Sequence, residues 1–144
     1  MKRLIKKAYD LAEEQEKFIQ ECKESGKFND YQIEEIIYGF KKGLTIEQVK
    51  LYADPKFNYE QINAIMWGFI YGLTMEQVKL YADLKFDYIQ MKEIRWGFKK
   101  GLTIDQVKLY ADPKFDWEQM EEIRKGFEDR LTMEEIRNKY KIWI

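Results

Sequence analysis

Three kinds of side chain in this sequence could do chemistry: adjacent glutamates, a recurring aspartate and one cysteine. Glu34-Glu35, Glu121-Glu122 and Glu134-Glu135 would serve general acid–base catalysis only if both carboxylates faced one substrate. Neighbours on a helix point in different directions, so no pair makes such a site. Asp54, Asp83 and Asp112 recur at a constant step near the ends of short apolar segments. Stacked helices lie about 8–10 Å apart, too far for these carboxylates to share one ion, and aspartate's preference for turns accounts for them. Cys22 is the only cysteine, so no intramolecular disulfide forms, and the chain holds no histidine to serve as its base. The missing histidine also removes the commonest transition-metal ligand. No phosphate-binding loop, dinucleotide fingerprint or nucleophile elbow is present. The expectation is a non-enzyme with no catalytic, cofactor-binding or metal-binding residues.

The elements that position these groups follow from a strict repeat. Lys-Phe recurs at Phe28, Phe57, Phe86 and Phe115, Gly-Phe at Phe40, Phe69, Phe98 and Phe127, and Leu-Thr at Thr45, Thr74, Thr103 and Thr132. All three series step by 29 residues without insertion. Periods of this size mark stacked architectures, which present extended surfaces rather than enclose pockets.

The third copy, 85–113, shows the physics. Asp87 caps a helix and Gln90 reaches back to complete a capping box, while Phe86 and Met91 can close a hydrophobic staple. The spacing predicts a helix to Lys100, with Gly101 as a left-handed stop and Lys99 and Lys100 suited to the negative end of the dipole. Thr103 and Gln106 repeat the same grammar for a second helix running to about Ala111, where Asp112-Pro113 breaks it. Caps at Asn29, Asn58 and Asp116, and at Thr45, Thr74 and Thr132, extend this to the other copies. The fold class expected is all-α: one domain, 1–144, a solenoid of tandem helical hairpins at 27–55, 56–84 and 85–113. Residues 1–26, with an apolar stripe of Leu4, Ile5, Ala8, Leu11, Ala12, Phe18 and Ile19, read as an N-terminal capping helix. Residues 114–144 read as a divergent C-terminal cap, in which Arg130 replaces the stopping glycine and Ile142, Trp143 and Ile144 fold back.

Positions alike in every copy read as scaffold. Ile33, Ile36 and Phe40, with Ile62, Ile65 and Phe69 and with Met91, Ile94 and Phe98, share one stripe at about 100° per residue. Gly39, Gly68, Gly97 and Gly126 lie beside it; a helical glycine costs about 1 kcal/mol against alanine, so their recurrence implies close approach of the paired helix. Positions that differ are the candidate surface. Four places per first helix lie opposite the stripe: Tyr31, Glu35, Tyr38 and Lys42, then Glu60, Ala64, Trp67 and Tyr71. In the third and fourth copies they are Ile89, Glu93, Trp96 and Lys100, then Glu118, Glu122, Lys125 and Asp129. An apolar patch rimmed by charge marks an interaction site, and tryptophan and tyrosine are favoured anchors. The candidate partner-binding residues are therefore Tyr31, Tyr38, Lys42, Trp67, Ile70, Tyr71, Ile89, Trp96 and Lys100. A ladder of Tyr38, Trp67 and Trp96 that only packs one copy on the next is the competing explanation.

The phrase Phe-Asp-x-x-Gln-Met-x-x-Ile-Arg-x-Gly-Phe-x-x-Gly-Leu-Thr, from Phe86 to Thr103 and largely again from Phe115 to Thr132, resembles a short helical tandem repeat of poorly characterised proteins from gut Gram-positive bacteria and their phages and mobile elements. The resemblance implies no activity; by analogy it suggests an inhibitor of a host defence protein, such as a CRISPR effector. A designed consensus scaffold is an alternative origin. The charges nearly cancel, 25 basic against 26 acidic, which argues against a general nucleic-acid binder. Lys41, Lys42, Lys92, Arg95, Lys99 and Lys100 would have to align for a weak one. No run reaches membrane-spanning length, and acids interrupt the basic N-terminus before a signal core, so a cytoplasmic protein is expected. The partner expected is another protein, with a homodimer through the aromatic face or a small-ligand binder as alternatives.

Overall fold

The computed structural model describes residues 11–143. Among them it is all-helical: α1 (Glu13–Ser25), α2 (Asp30–Lys41), α3 (Ile46–Lys50), α4 (Tyr59–Ile70), α5 (Met75–Lys79), α6 (Tyr88–Lys99), α7 (Ile104–Lys108), α8 (Trp117–Glu128) and α9 (Met133–Tyr140). No helix among the described residues is long and apolar enough to cross a membrane. The chain forms two compact units divided between Tyr71 and Gly72.

From α2 onward every helix begins with the same device. Asn29, Thr45, Asn58, Thr74, Asp87, Thr103, Asp116 and Thr132 each accept from the backbone N–H three residues on, and the glutamine or Glu135 there returns the bond. Two of the four free N–H groups at each start, one on the cap itself, are thereby satisfied. α1 has only half of this, Ala12 N–H donating to Gln15 at 3.1 Å. Gly43, Gly72 and Gly101 stop the long helices at φ of 91°, 94° and 89°. Arg130 takes the same place with φ 68°, a conformation costing roughly 1–2 kcal/mol outside glycine.

In unit 1, α1 packs on α2 with Phe18 edge-on to Phe40 at 6.0 Å, and α2 lies beside α4. The stripe residues Ile33, Ile36, Phe40, Ile62, Ile65 and Phe69 are buried, together with Val49 and Tyr52 from the α3 segment. In unit 2, α6 lies beside α8 over a core of Met91, Ile94, Phe98, Val107, Tyr110, Met120, Ile123, Phe127 and Ile136. Within each unit the neighbouring long helices run parallel: Gln32 near the start of α2 reaches the carbonyl of Phe57 just before α4, at 3.1 Å, and Tyr38 near the end of α2 meets Trp67 near the end of α4. In unit 2, Gln90 likewise reaches Phe115 at 2.8 Å and Glu93 reaches Arg124.

Two expectations change, and part of a third falls outside the described residues. The second helix of the third copy ends at Lys108 rather than near Ala111, because Leu109 and Tyr110 bond back three residues instead of four. That tighter winding turns both side chains into the core. At the C-terminus Ile142 is buried but Trp143 is 66% exposed, while Ile144 lies outside the described residues. Leu4, Ile5 and Ala8 of the expected capping helix also lie outside them; its described part is α1.

The recurring glycines have an identified neighbour. A Cβ on Gly39 would overlap the hydroxyl of Tyr52, and one on Gly97 the hydroxyl of Tyr110. Gly126 faces Ile136 instead. Burial pushes the ionisation of both phenols upward. Tyr52 donates to the carbonyl of Glu35 at 2.8 Å, whereas the buried Tyr110 hydroxyl has no hydrogen-bond partner.

Candidate functional site

In unit 1 the parallel course of α2 and α4 brings the candidate aromatics into two clusters. Near the helix ends, Trp67 lies 6.2 Å from Tyr38 and 5.3 Å from Tyr71, both ring pairs tilted. Lys42 places its ammonium 5.4 Å from the Tyr38 ring centre. Tyr38, Trp67 and Ile70 are half-buried, and Tyr71 is 59% exposed. Tyr38 and Trp67 pack one copy on the next, and Tyr71 extends the run beyond that contact.

Tyr31 sits apart, near the helix starts, edge-on to Tyr59 with ring centres 4.1 Å apart. Its hydroxyl accepts from Asn63 Nδ2 at 3.0 Å, and the same amide donates to the Tyr59 carbonyl. Tyr59 and Asn63 were outside the expected set. Tyr59 is the first helical residue after the Asn58 cap, a place where an aromatic is easily read as part of the cap rather than the surface.

In unit 2, Ile89, Trp96 and Lys100 all lie on the outward side of α6, with Ile89 and Trp96 37% and 38% exposed. Lys99 and Lys100 hold their ammonium groups 5.0 and 5.4 Å from the Trp96 ring centre, and Lys92 lies 6.0 Å from that of Tyr88. The same outward places on α8 carry Glu118, Glu121, Lys125, Glu128 and Asp129, with Lys125 paired to Glu121 at 2.7 Å.

One of the four places expected to face solvent does not. Ala64 is buried, Glu35 and Glu93 are half-buried, and only Glu122 is exposed. Glu93 turns toward α8 and meets Arg124 Nε at 3.2 Å, while Arg124 Nη1 holds Glu128 at 2.8 Å. Desolvation raises the pKa of Glu93 and the adjacent guanidinium partly offsets it. Glu35 is raised by desolvation and by its neighbour Glu34. Glu93 thus sits at the α6–α8 seam within unit 2.

A further pair of bonds is invisible to local sequence patterns. The capping-box glutamine also donates through Nε2 to the loop before the next long helix: Gln32 to Pro55 and Phe57 at 3.2 and 3.1 Å, Gln90 to Pro113 and Phe115 at 3.3 and 2.8 Å. Among the described residues, no three cysteine or carboxylate side chains are placed to hold a metal ion. Comparison with family models, with curated proteins and with solved structures gives no match to this chain.

Proposed function

We propose that this chain is a non-enzymatic protein-binding module, a tandem helical-hairpin solenoid whose unit 1 docks a partner protein through Tyr38, Trp67, Ile70 and Tyr71, with Lys42 on the rim. The observation that carries this reading is the exposure of Tyr71 at the end of a stacked aromatic run. Stacking holds Trp67 between two tyrosines, so little rotamer freedom remains to be lost on binding. Tyrosine and tryptophan held this way supply large contact area at low entropic cost. The equivalent places on α2 and α8 hold lysines or acids at positions 41 and 128, where α4 has Ile70, so the apolar character is particular to this helix.

The test compares wild type with a Tyr71→Ala, Trp67→Ala variant in affinity capture, followed by calorimetry on any captured protein. Loss of about tenfold or more in affinity, with helicity kept, is expected for hot-spot anchors. Equal affinity of both variants for the same protein refutes the assignment.

A further inference from the structure

Unit 2 carries two outward strips of opposite charge at matching places. Lys92 and Glu121, Trp96 and Lys125, Lys99 and Glu128, and Lys100 and Asp129 are each 29 residues apart. The parallel helices α6 and α8 begin at Tyr88 and Trp117, the same step apart, so each pair lies at one level. The α6 strip holds three lysines with Ile89 and Trp96; the α8 strip holds four carboxylates, Glu118, Glu121, Glu128 and Asp129, against Lys125 alone. Lys92 and Lys100 are not spent on the α8 carboxylates within the chain. Lys92 and Lys100 rest over the rings of Tyr88 and Trp96, Glu121 holds Lys125, and Glu128 holds Arg124.

A twofold axis running between α6 and α8, parallel to both, would lay α6 of one copy on α8 of another. We propose that unit 2 docks a second copy of this chain in this way, as a closed, isologous dimer. Each α6 lysine then faces the carboxylate at its own level, and Lys125 comes level with Trp96. Ile89 opposite Glu118 and Trp96 opposite Lys125 are the two unmatched pairs. A twofold axis across the helices would instead set lysine on lysine. The α8 side also bears an open hollow of about 600 Å³ lined by Trp117, Glu118, Glu121, Glu122 and Lys125 among others, room for the side chain of a facing Lys92. Single-stranded nucleic acid fits less well, since the chain's own ammonium groups lie over the Trp96 ring and α8 beside it is acidic. Two twelve-residue helices give a face only about 18 Å long, small for a permanent dimer, so the association is weak and charge-steered. This inference does not depend on the partner reading for unit 1.

Sedimentation equilibrium on the full chain tests it, at about 20 mM and about 300 mM salt, where the screening length falls from roughly 20 to 6 Å. A dimer mass at low salt is expected, with Kd raised about tenfold or more at high salt. Lys92→Glu with Lys100→Glu, or Glu121→Lys with Asp129→Lys, each raise Kd about tenfold or more by setting like charges together. Mixing these two variants, or placing all four substitutions on one chain, restores Kd to within about threefold of wild type. Circular dichroism confirms that each variant folds, and the mixture provides rescue without a fourfold mutant. A monomer at about 0.5 mM protein in low salt, far above the Kd of ordinary specific complexes, overturns the proposal. So does a dimer indifferent to either charge reversal, a failure of the recombined charges to restore it, or growth beyond the dimer, which a closed twofold forbids.

Discussion

Tyr52 and Tyr110 stand two periods apart in the same local setting, each with its hydroxyl over a helical glycine, yet replacing them by phenylalanine should move stability in opposite directions. Tyr52 donates a 2.8 Å bond to the Glu35 carbonyl. Its loss in Tyr52→Phe should cost about 1 kcal/mol, the net value of a typical buried hydrogen bond. In a chain of this length that lowers Tm by roughly 3–5 °C. The Tyr110 hydroxyl is buried without a partner, and burying a hydroxyl unbonded costs about 1–3 kcal/mol by mutational measures. Tyr110→Phe removes that cost and leaves the ring in place, so stability should stay level or rise by up to about 1 kcal/mol. The overlap at Gly39 supplies a cross-check. Gly39→Ala should destabilise by about 1–3 kcal/mol through overpacking, and adding Tyr52→Phe should recover part of it, because the atom in the way is the hydroxyl oxygen. The assay is urea unfolding followed by both circular dichroism and tryptophan fluorescence, whose coincidence checks two-state behaviour. A Tyr110→Phe variant as destabilised as Tyr52→Phe would refute the reasoning, since it would require a bonding partner that the structure does not provide.

Three further outcomes are expected. Gln90→Glu keeps the acceptor of the capping box but turns an amide donor into a carboxylate beside the carbonyls of Pro113 and Phe115; it should cost about 1–3 kcal/mol. Gln119→Glu, at an exposed glutamine that caps α8, should change stability by less than about 0.5 kcal/mol in the same unfolding assay. Glu35 has a folded pKa above its ordinary value, through desolvation first and Glu34 second. Its contribution is therefore fully present below the unfolded pKa and is lost as pH rises through the folded one. Glu35→Gln should match wild type in acid and exceed it toward neutral pH, read from urea midpoints across that range; a difference that shrinks with rising pH would reverse the sign of this argument.

The helix starts were legible because each is written locally: a cap residue, a glutamine three places on, and an apolar pair around them, all within six residues. The buried stripe was legible for the same reason, as one face of one helix. Glu93 was misplaced because a lone helix tells which side is apolar but not where its neighbour lies, and Arg124, the residue that claims it, is 31 positions away. The early end of α7 depended on Tyr110 seeking the space over Gly97, a tertiary pull on a segment whose local signals favour another turn. Glycine recurrence pointed to a close neighbour, and only the fold shows that it is a tyrosine hydroxyl in two cases and Ile136 in a third. Of the candidate surface, Tyr38, Trp67 and Tyr71 were found from spacing, whereas Tyr59 beside Tyr31 required knowing which helix ends come together.

The joints made by Gln32 and Gln90 grip main-chain oxygen, an atom that every amino acid possesses. Such a joint is indifferent to what the gripped residues display, so it holds as well under one set of outward side chains as under another. Register at these joints and decoration are thereby uncoupled, and a change of outward side chain beside them leaves the gripped atoms in place. That freedom is already in use: Glu34 on α2 and Lys92 on α6 stand at the same place beside the same kind of joint with opposite charges. A frame of this kind can acquire a new binding partner by changes in a handful of exposed codons, without renegotiating how it folds.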